Sequence, residues 1–388
     1  MNNFVYDIQT KVYFGKDQLG NLAPELKKYG KKVLLTYGGG SIKKNGLYQR
    51  ILDELNKGDF EVFELSGIDP NPRVSSVNQG AQICKKENID VLLAVGGGSV
   101  IDCTKYIGAA AYYDGDAWDI MLKKVDVKKA LPLFTVLTLS ATGTEMNAAG
   151  VISNPETNDK IGLIFPPLRP KVSFLDPTLT YSVSKYQTAC GSADILNHIF
   201  EVYFNMDDDL YMLDTVMEGL MKTVIKYAPI AYHDGNNYEA RANLMWASSW
   251  AINGFVAAGK THEWTCHPIE HELSAYYDIT HGLGLAILAP KWLEYSLSDK
   301  TVSKYKQFGV NVFNIDESLD DMEIAKLAIE KTKKFLYEDL HLDSTLSDIN
   351  IDDEKFEIMA KKACNNDKIN GFVTLYPKDV VNILNMCK

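Results

Sequence analysis

The chain has 388 residues, of which 46% are hydrophobic, and a formal net charge of −11 at pH 7. The chain is longer than a typical single domain, so we expect two domains. The apolar content argues against a disordered chain. The acidic balance excludes a nucleic-acid scaffold, which usually presents a basic surface, and we expect no nucleic-acid partner.

The N-terminus and the cysteines indicate where the protein works. Residues 1–15 lack the charged head, apolar run and small-residue cleavage site of a signal peptide. No stretch reaches the roughly 20 apolar residues that a membrane span requires. We therefore expect a cytoplasmic protein with no membrane partner. The cysteines form no Cys-x-x-Cys pair, which predicts free thiols instead of disulfides or a zinc ribbon.

Short apolar runs alternate with helix-like stretches in the first half of the chain. The runs at 33–36, 91–95 and 133–137 predict buried strands, and the alternating run at 60–65 predicts another. A loop is expected at 67–72. Apolar runs buried on both faces and separated by helices are typical of βαβ units. We therefore predict an α/β N-terminal domain with a parallel, Rossmann-like sheet.

The pattern changes near residues 177–184. Apolar residues then recur at helical spacing over 188–204, 210–231, 238–258 and 324–340, which predicts an all-α C-terminal domain. The predicted division is an α/β domain at 1–184 and a helical domain at 185–388.

Two of the predicted strands run into a Gly-Gly-Gly-Ser loop, at 38–41 and 96–99, and a third runs into a Thr/Ser-rich loop at 138–144. Glycines between a strand and a helix let backbone N–H groups approach an anion, which the helix N-terminus also favours. A single such loop is equally explained as a tight turn, and the GxGxxG pattern is absent. Three loops at the carboxyl ends of parallel strands favour nucleotide binding. Asp102 is expected in the first turn of the helix that follows.

Histidines cluster in the second half of the chain. Asp194 and His198 are four residues apart, which places both on one helical face, and His267 and His271 form a similar pair. His281 precedes a glycine near a predicted turn or helix start. A carboxylate with imidazoles suits Fe²⁺ or Zn²⁺. Spacing alone pairs Asp194 with His198 but does not join them to His267 and His281.

Several motifs resemble the iron-containing (group III) alcohol dehydrogenase family. They are GGGSVID at 96–102, TLSATGTE at 138–145, ADILNH at 193–198, HPIEHE at 267–272 and HG at 281–282. The similarity extends over nearly the whole chain, including RANLMWAS at 241–248. Within the family, the chain most resembles the NAD(P)H-dependent butanol dehydrogenases and broad-range aldehyde reductases. The resemblance implies the dehydroquinate synthase-like fold of that family.

The resemblance also implies roles for individual residues. One divalent metal, Fe²⁺ or Zn²⁺, would be held by Asp194, His198, His267 and His281. Asp102 and His271 would lie near the nicotinamide and are the predicted catalytic residues, with His271 a candidate for the proton path. The predicted cofactor-binding set contains these two residues and others in or after the loops: Gly38, Gly39, Ser41, Asn71, Gly97, Gly98, Ser99, Thr138, Thr142, Asn147, Lys160 and Leu179.

The first glycine loop bears on the choice of cofactor. Relatives that use NAD often carry an acid there for the adenosine ribose, whereas residues 37–41 contain none. A carboxylate would repel a 2′-phosphate, so its absence permits NADP. We therefore predict NADP(H) in preference to NAD(H), with Ser41, Lys43 or Lys44 near the phosphate.

The predicted function is the reduction of a small aliphatic aldehyde to a primary alcohol, by a homodimer as in the family. A dehydroquinate synthase-type or glycerol dehydrogenase-type enzyme is the alternative. A sugar-phosphate substrate would need Lys and Arg around the metal, but the segments near 194, 267 and 281 are instead rich in Ile, Leu, Phe, Trp, Tyr and Ala. A nucleotide-binding protein without catalysis is disfavoured, because four candidate ligands are intact.

Overall fold

The computed structural model describes residues 1–206 and 210–388, which divide into two compact units. One unit is Asp7–Val183, and the other is Met1–Tyr6 together with Ser184–Lys388. Residues 1–6, which the predicted division assigned to the first domain, therefore lie in the second unit. There the backbone N–H of Asn2 donates to the carbonyl of Gly259 at 2.8 Å.

The first unit contains eight described strands. They are β1 (Lys11–Phe14), β2 (Lys32–Tyr37), β3 (Glu61–Leu65), β4 (Val91–Gly96), β5 (Leu133–Leu137), β6 (Ala149–Asn154), β7 (Asp159–Ile164) and β8 (Val172–Leu175). Six of them form one sheet in the order β1-β8-β5-β4-β2-β3, in which every neighbouring pair is parallel. β6 and β7 form a separate antiparallel hairpin. The predicted parallel sheet is confirmed.

Helices connect these strands. They are α1 (Leu22–Leu26), α2 (Ser41–Lys44), α3 (Leu47–Lys57), α4 (Val74–Glu87), α5 (Gly98–Ala110) and α6 (Trp118–Met121). All positions of β4 and β5 are buried, which explains why these strands appear in the sequence as unbroken apolar runs. Leu47, Ile51 and Leu55 of α3 pack with Val33 and Leu35 of β2 in one hydrophobic core.

The strand order brings the three predicted binding loops together. β4 pairs with β2 on one side and with β5 on the other. Tyr37 lies opposite Val95 and Gly96 opposite Leu137, so the three strands end at nearly the same level of the sheet. The loops that follow them are consequently neighbours at one edge, where ligands of open parallel sheets bind.

The second unit is mostly helical. Its helices are α7 (Lys185–Tyr203), α8 (Tyr211–His233), α9 (Tyr238–Ile252), α10 (Cys266–Tyr277), α11 (His281–Ser296), α12 (Val302–Phe313), α13 (Asp321–Lys333), α14 (Phe356–Ala363) and α15 (Pro377–Met386). A short hairpin of β9 (Ile369–Asn370) and β10 (Thr374–Leu375) completes it. Every residue of α7 from Thr188 to Tyr203 is buried, so α7 forms the centre of the helical core.

Two predicted helices differ from the structure. The helix expected over 238–258 ends at Ile252, because Gly254 has a φ of +95° and the Asn253 side chain accepts a hydrogen bond from the Phe255 N–H. The apolar spacing continues beyond this turn, which caused the error. The helix expected over 324–340 is α13 followed by a π-helical turn, Lys334–Asp339.

All six cysteines are buried and free, as predicted. Among the described residues, no helix combines the length and the apolar character that crossing a bilayer requires.

Candidate metal centre and cofactor loops

Helix α7 carries a carboxylate and an imidazole into the interior of the helical unit. The Ser184 hydroxyl caps the helix by accepting a hydrogen bond from the Gln187 N–H. Asp194 and His198 follow on one helical face, and both side chains are almost completely buried. Burying two such polar groups is costly unless each finds a partner.

Imidazoles from two further helices lie around the same carboxylate. Asp194 Oδ1 lies 3.5 Å from His198 Nε2, 3.7 Å from His267 Nε2 and 3.6 Å from His281 Nε2. His267 is the second residue of α10 and His281 the first of α11. The structure therefore brings together all four predicted metal ligands, which stand far apart in the sequence.

The close approach of α11 depends on the residue after His281. A Cβ at Gly282 would overlap the backbone carbonyl of Cys190 on α7. Only glycine lets the first turn of α11 lie this near to α7, and this contact sets the position of His281. The His-Gly pair noted in the sequence thus has a packing explanation.

The carboxylate and the imidazoles around it form a candidate site for one metal ion. Asp194 Oδ1 and His267 Nε2 are buried without a hydrogen-bond partner in the described part of the chain, which is costly if nothing else binds them. Asp194, His267 and His281 offer ligand atoms that all lie within 4.8 Å of one another, and His198 Nε2 lies 3.5 Å from Asp194 Oδ1. The donor set, one oxygen and three nitrogens, suits Fe²⁺ or Zn²⁺.

The charges at the centre also fit a cation. Burial alone raises the pKa of Asp194, but the imidazoles of His198, His267 and His281 outweigh burial and hold the pKa well below its usual range. Burial lowers the pKa of His198 to about 3, so its imidazole is neutral, as a ligand must be. Burial also disfavours charge on His267, yet the carboxylates of Asp194 and Glu201 raise its pKa to about 9. A divalent ion would take the place of that proton.

Two carboxylates beside the ligands were not predicted from the sequence. Glu201 accepts hydrogen bonds from the backbone N–H groups of Thr265 and His267 and lies 2.9 Å from His267 Nδ1. Glu270 contacts His281 Nδ1 and accepts from the Ser274 hydroxyl. A signal was available, because Glu201 follows His198 by three residues and Glu270 follows His267 by three, within buried helices.

One side of the centre is more open than the others. The His281 side chain is 23% exposed, against 3–5% for the other three ligands. The predicted proton-path residue His271 lies on this side, with its ring centroid 5.7 Å from that of His281. Trp264 lines another side, with its ring centroid 4.5 Å from that of His267. A small molecule would therefore meet an indole and an imidazole beside the metal.

In the α/β unit, the second glycine loop forms the N-terminus of α5. The N–H groups of Val100 and Ile101 bond to the Gly97 carbonyl. A Cβ at Gly98 would lie 2.5 Å from Cγ2 and 3.0 Å from Cβ of Thr142, so only glycine permits this contact. The helix end and the Thr/Ser-rich loop are thus packed against each other. The Thr138 N–H, which donates to the Gly96 carbonyl, also joins them.

Asp102 takes part in a buried network behind this loop. It is the fifth residue of α5, which begins at Gly98, so it lies just beyond the first turn in which it was expected. Its carboxylate accepts from the Thr144 hydroxyl at 2.6 Å and from the Val151 N–H at 3.0 Å. Lys105, which was not predicted, donates to the Thr144 hydroxyl at 2.5 Å and to Asn147 Oδ1 at 3.0 Å.

The remaining predicted cofactor residues lie in the α/β unit. In the first glycine loop, Gly38 and Gly39 follow β2, and Ser41 begins α2. Asn71 lies in the loop predicted at 67–72, where its backbone has a positive φ of 51°. Lys160 pairs with Ser153 in the β6–β7 hairpin. Leu179 packs in the core of the unit. Their contacts with a cofactor stay predictions.

Family profiles cover nearly all of the chain. The profile of iron-containing alcohol dehydrogenases matches residues 9–177, and that of the C-terminal part of the Fe-containing alcohol dehydrogenase family matches residues 188–387.

Individual relatives match over most of their length. NADH-dependent butanol dehydrogenase A of Clostridium acetobutylicum is 49% identical over 385 residues, or 99% of each chain. NADPH-dependent aldehyde reductase YqhD of Escherichia coli is 38% identical over 366 residues, or 93% of each chain. The crystal structure of NADH-dependent butanol dehydrogenase A from Thermotoga maritima aligns with a TM-score of 0.95 at 38% identity, covering 100% of this chain and 99% of that chain. The chain belongs to the iron-containing alcohol dehydrogenase family.

Proposed function

We propose that this enzyme reduces small aliphatic aldehydes to primary alcohols with NAD(P)H and a divalent metal: aldehyde + NAD(P)H + H⁺ → primary alcohol + NAD(P)⁺. One observation carries the proposal, namely the convergence of three imidazole nitrogens on the unpartnered Oδ1 of Asp194. The family and the names of its relatives agree with this reaction.

The helical unit would hold the metal through Asp194, His198, His267 and His281. When bound, Fe²⁺ or Zn²⁺ supplies Lewis-acid chemistry that polarises a carbonyl oxygen. Three of these side chains are almost completely buried, and the more exposed His281 would leave a side for substrate. His271, near that side, is the proposed source of the proton that completes the alcohol.

The α/β unit would bind the nicotinamide cofactor at the sheet edge. Gly97, Gly98 and Ser99 would present backbone N–H groups to the pyrophosphate at the start of α5. Asp102 and Asn147, oriented by the buried hydrogen bonds of Thr144 and Lys105, would face the nicotinamide half and the ribose.

Side-chain chemistry near the metal favours a small, uncharged substrate. Residues 193–200 and 264–272, which carry three of the ligands, contain no Lys or Arg. A sugar-phosphate substrate of the dehydroquinate synthase type would need cations there. Trp264 instead offers an apolar wall beside His267.

The choice between NADPH and NADH is a separate prediction. The preference for NADPH rests on the absence of an acid from the Gly38–Ser41 loop, and relatives of both kinds match this chain. In the structure, Lys43 lies over the rings of Tyr37 and Tyr48, and the hydroxyls of both tyrosines donate to Glu64. A 2′-phosphate would have to draw Lys43 out of these contacts. A homodimer in the cytoplasm is likewise proposed from the family.

Kinetics with butanal test the function. The enzyme loaded with Fe²⁺ or Zn²⁺ is assayed with NADH and with NADPH, beside the variants His267→Ala and His233→Ala. His233 ends α8 and serves as the matched control. We expect His267→Ala to lower kcat/KM by at least about 100-fold, since the metal contributes several kcal/mol to the transition state. Undiminished metal-dependent turnover in His267→Ala would refute the proposed centre.

A further inference from the structure

The three ligand histidines differ in what binds their second ring nitrogen. Nδ1 of His267 faces Glu201, and Nδ1 of His281 contacts Glu270. Nδ1 of His198 is buried without a hydrogen-bond partner in the part of the chain that the structure describes. A carboxylate only accepts hydrogen bonds, so Glu201 and Glu270 require the proton on Nδ1 and leave Nε2 free to bind the metal.

Glu201 also accepts hydrogen bonds from the backbone at the start of α10. Its Oε2 accepts from the Thr265 N–H at 2.6 Å, and its Oε1 accepts from the His267 N–H at 2.9 Å. Helix α10 has no acidic residue in its first turn and no side-chain cap of its own. Glu201 of α7 therefore satisfies the N-terminal N–H groups of α10 and the imidazole of His267 with one carboxylate.

Glu270 on α10 contacts His281 on α11, much as Glu201 on α7 contacts His267 on α10. It lies on α10, one helical turn from His267, and it contacts His281 at the start of α11. The Ser274 hydroxyl, four residues along α10, donates to the same carboxylate and holds it in place. Helices α7 and α10 thus each carry a candidate ligand and also the carboxylate that contacts the histidine of the next ligand-bearing helix.

We propose that Glu201 and Glu270 are positioning residues that align His267 and His281, and that the retention of the metal depends on them. The inference rests on the proposed metal centre. A carboxylate behind an imidazole fixes the ring and makes its other nitrogen a stronger donor to the metal. Among the described residues no carboxylate binds His198 Nδ1, so the helix backbone of α7 and the surrounding packing must hold its ring.

Metal release measures this role without substrate or nicotinamide. The full chain is loaded with Co²⁺, and the loss of the visible absorption of Co²⁺ is followed after a chelator is added. The variants are Glu201→Gln, Glu270→Gln and the control Glu218→Gln. Glu218 is a matched control, because it is also buried in the helical unit and accepts hydrogen bonds from three side chains, those of Tyr203, Gln307 and Asn311.

We expect Glu201→Gln and Glu270→Gln to lose Co²⁺ about 10–100-fold faster than the unmodified enzyme and to shift its absorption bands. Glu218→Gln should release Co²⁺ at the unmodified rate. Equal release rates in Glu201→Gln and the unmodified enzyme would overturn the inference for His267, and equal rates in Glu270→Gln would overturn it for His281. If Glu201→Gln does not fold, Glu201→Asp, which keeps the charge but shortens its reach, replaces it. Failure of the unmodified enzyme to bind Co²⁺ would instead refute the metal centre itself.

Discussion

Lys105 is a fully buried cation on α5, beside the loop that is proposed to bind the cofactor. Its Nζ donates to the Thr144 hydroxyl and the Ala149 carbonyl, both at 2.5 Å, and to Asn147 Oδ1 at 3.0 Å. All three acceptors lie in the segment after β5. A single lysine thus fixes the course of this segment against α5, and Asp102 provides the compensating charge nearby.

The burial of Lys105 predicts a pH effect on stability. Burial lowers its pKa from 10.5 to about 8, although Asp102 and Glu145 oppose the change. Between these pH values the unfolded chain binds more protons than the folded one, so stability rises with pH. The cost of charging Lys105 is fully present below about pH 8. The variant Lys105→Met lacks this titrating group. Between pH 8 and pH 10.5, the unfolding free energy of the unmodified enzyme should therefore rise by about 3 kcal/mol relative to that of the variant.

Unfolding in urea at a series of pH values from 7 to 10.5 provides the measurement. Lys27→Met, at an exposed lysine of the same unit, is the control and should run parallel to the unmodified enzyme. Parallel curves for Lys105→Met as well would contradict a buried charge at this position.

Single residues differ in how far the sequence reveals them. Asp194 and His198 could be paired from spacing, because one helix presents both. His267 and His281 were joined to them only by the family resemblance, since contacts between helices depend on packing that the sequence does not display. Glu201 and Glu270 were overlooked for the same reason: each serves an imidazole on another helix. Lys105 resembles an ordinary surface lysine until α5 is placed in the fold.

At the scale of elements, the contact between α5 and the Thr/Ser-rich loop depends on the absence of a side chain at Gly98. In Gly98→Ala, the new methyl group would press on Cγ2 and Cβ of Thr142, a short side chain that cannot bend away. The loop must move from the helix N-terminus, where the pyrophosphate is proposed to bind. We expect KM for the nicotinamide cofactor to rise about 10-fold, or roughly 1.4 kcal/mol, with a smaller change in kcat.

A glycine outside the binding loops provides the matched control. A Cβ at Gly20, which lies in the same unit before α1, would meet no atom of the described residues within 4 Å, and its backbone does not have a positive φ. Gly20→Ala should therefore leave KM for the cofactor unchanged in steady-state assays with both nucleotides. A similar KM in Gly98→Ala and Gly20→Ala would remove the argument that the close contact shapes the binding site.

Elements that are buried on both sides were the most predictable. The strands β2, β4 and β5 appear in the sequence as apolar runs, and each ends at a loop of special composition. Their order in the sheet could not be read from the runs, but it decides that the three loops are neighbours. The end of α9 was missed because apolar spacing continues past Asn253 and Gly254, where the backbone turns.

At the scale of the whole molecule, the chain has two units that each possess a hydrophobic core of their own. The four candidate ligands lie on α7, α10 and α11, which all belong to the helical unit. A metal that binds only the folded state stabilises it by RT ln(1 + [M]/Kd), about 2.7 kcal/mol at 100 times Kd. This stabilisation should therefore act on the helical unit.

Hydrogen exchange resolves where the metal acts. Removing the metal with a chelator should speed hydrogen exchange in α7, α10 and α11, because the ion no longer links these three helices. Asp194 Oδ1 and His267 Nε2 are then buried without a hydrogen-bond partner among the described residues. The strands β2, β4 and β5, in the other unit, should exchange as before. An Asp194→Ala variant, which lacks the central ligand, should show fast exchange in these helices from the start and no response to the chelator. Equal changes in both units, or none in α10, would contradict a metal that ties these three helices together.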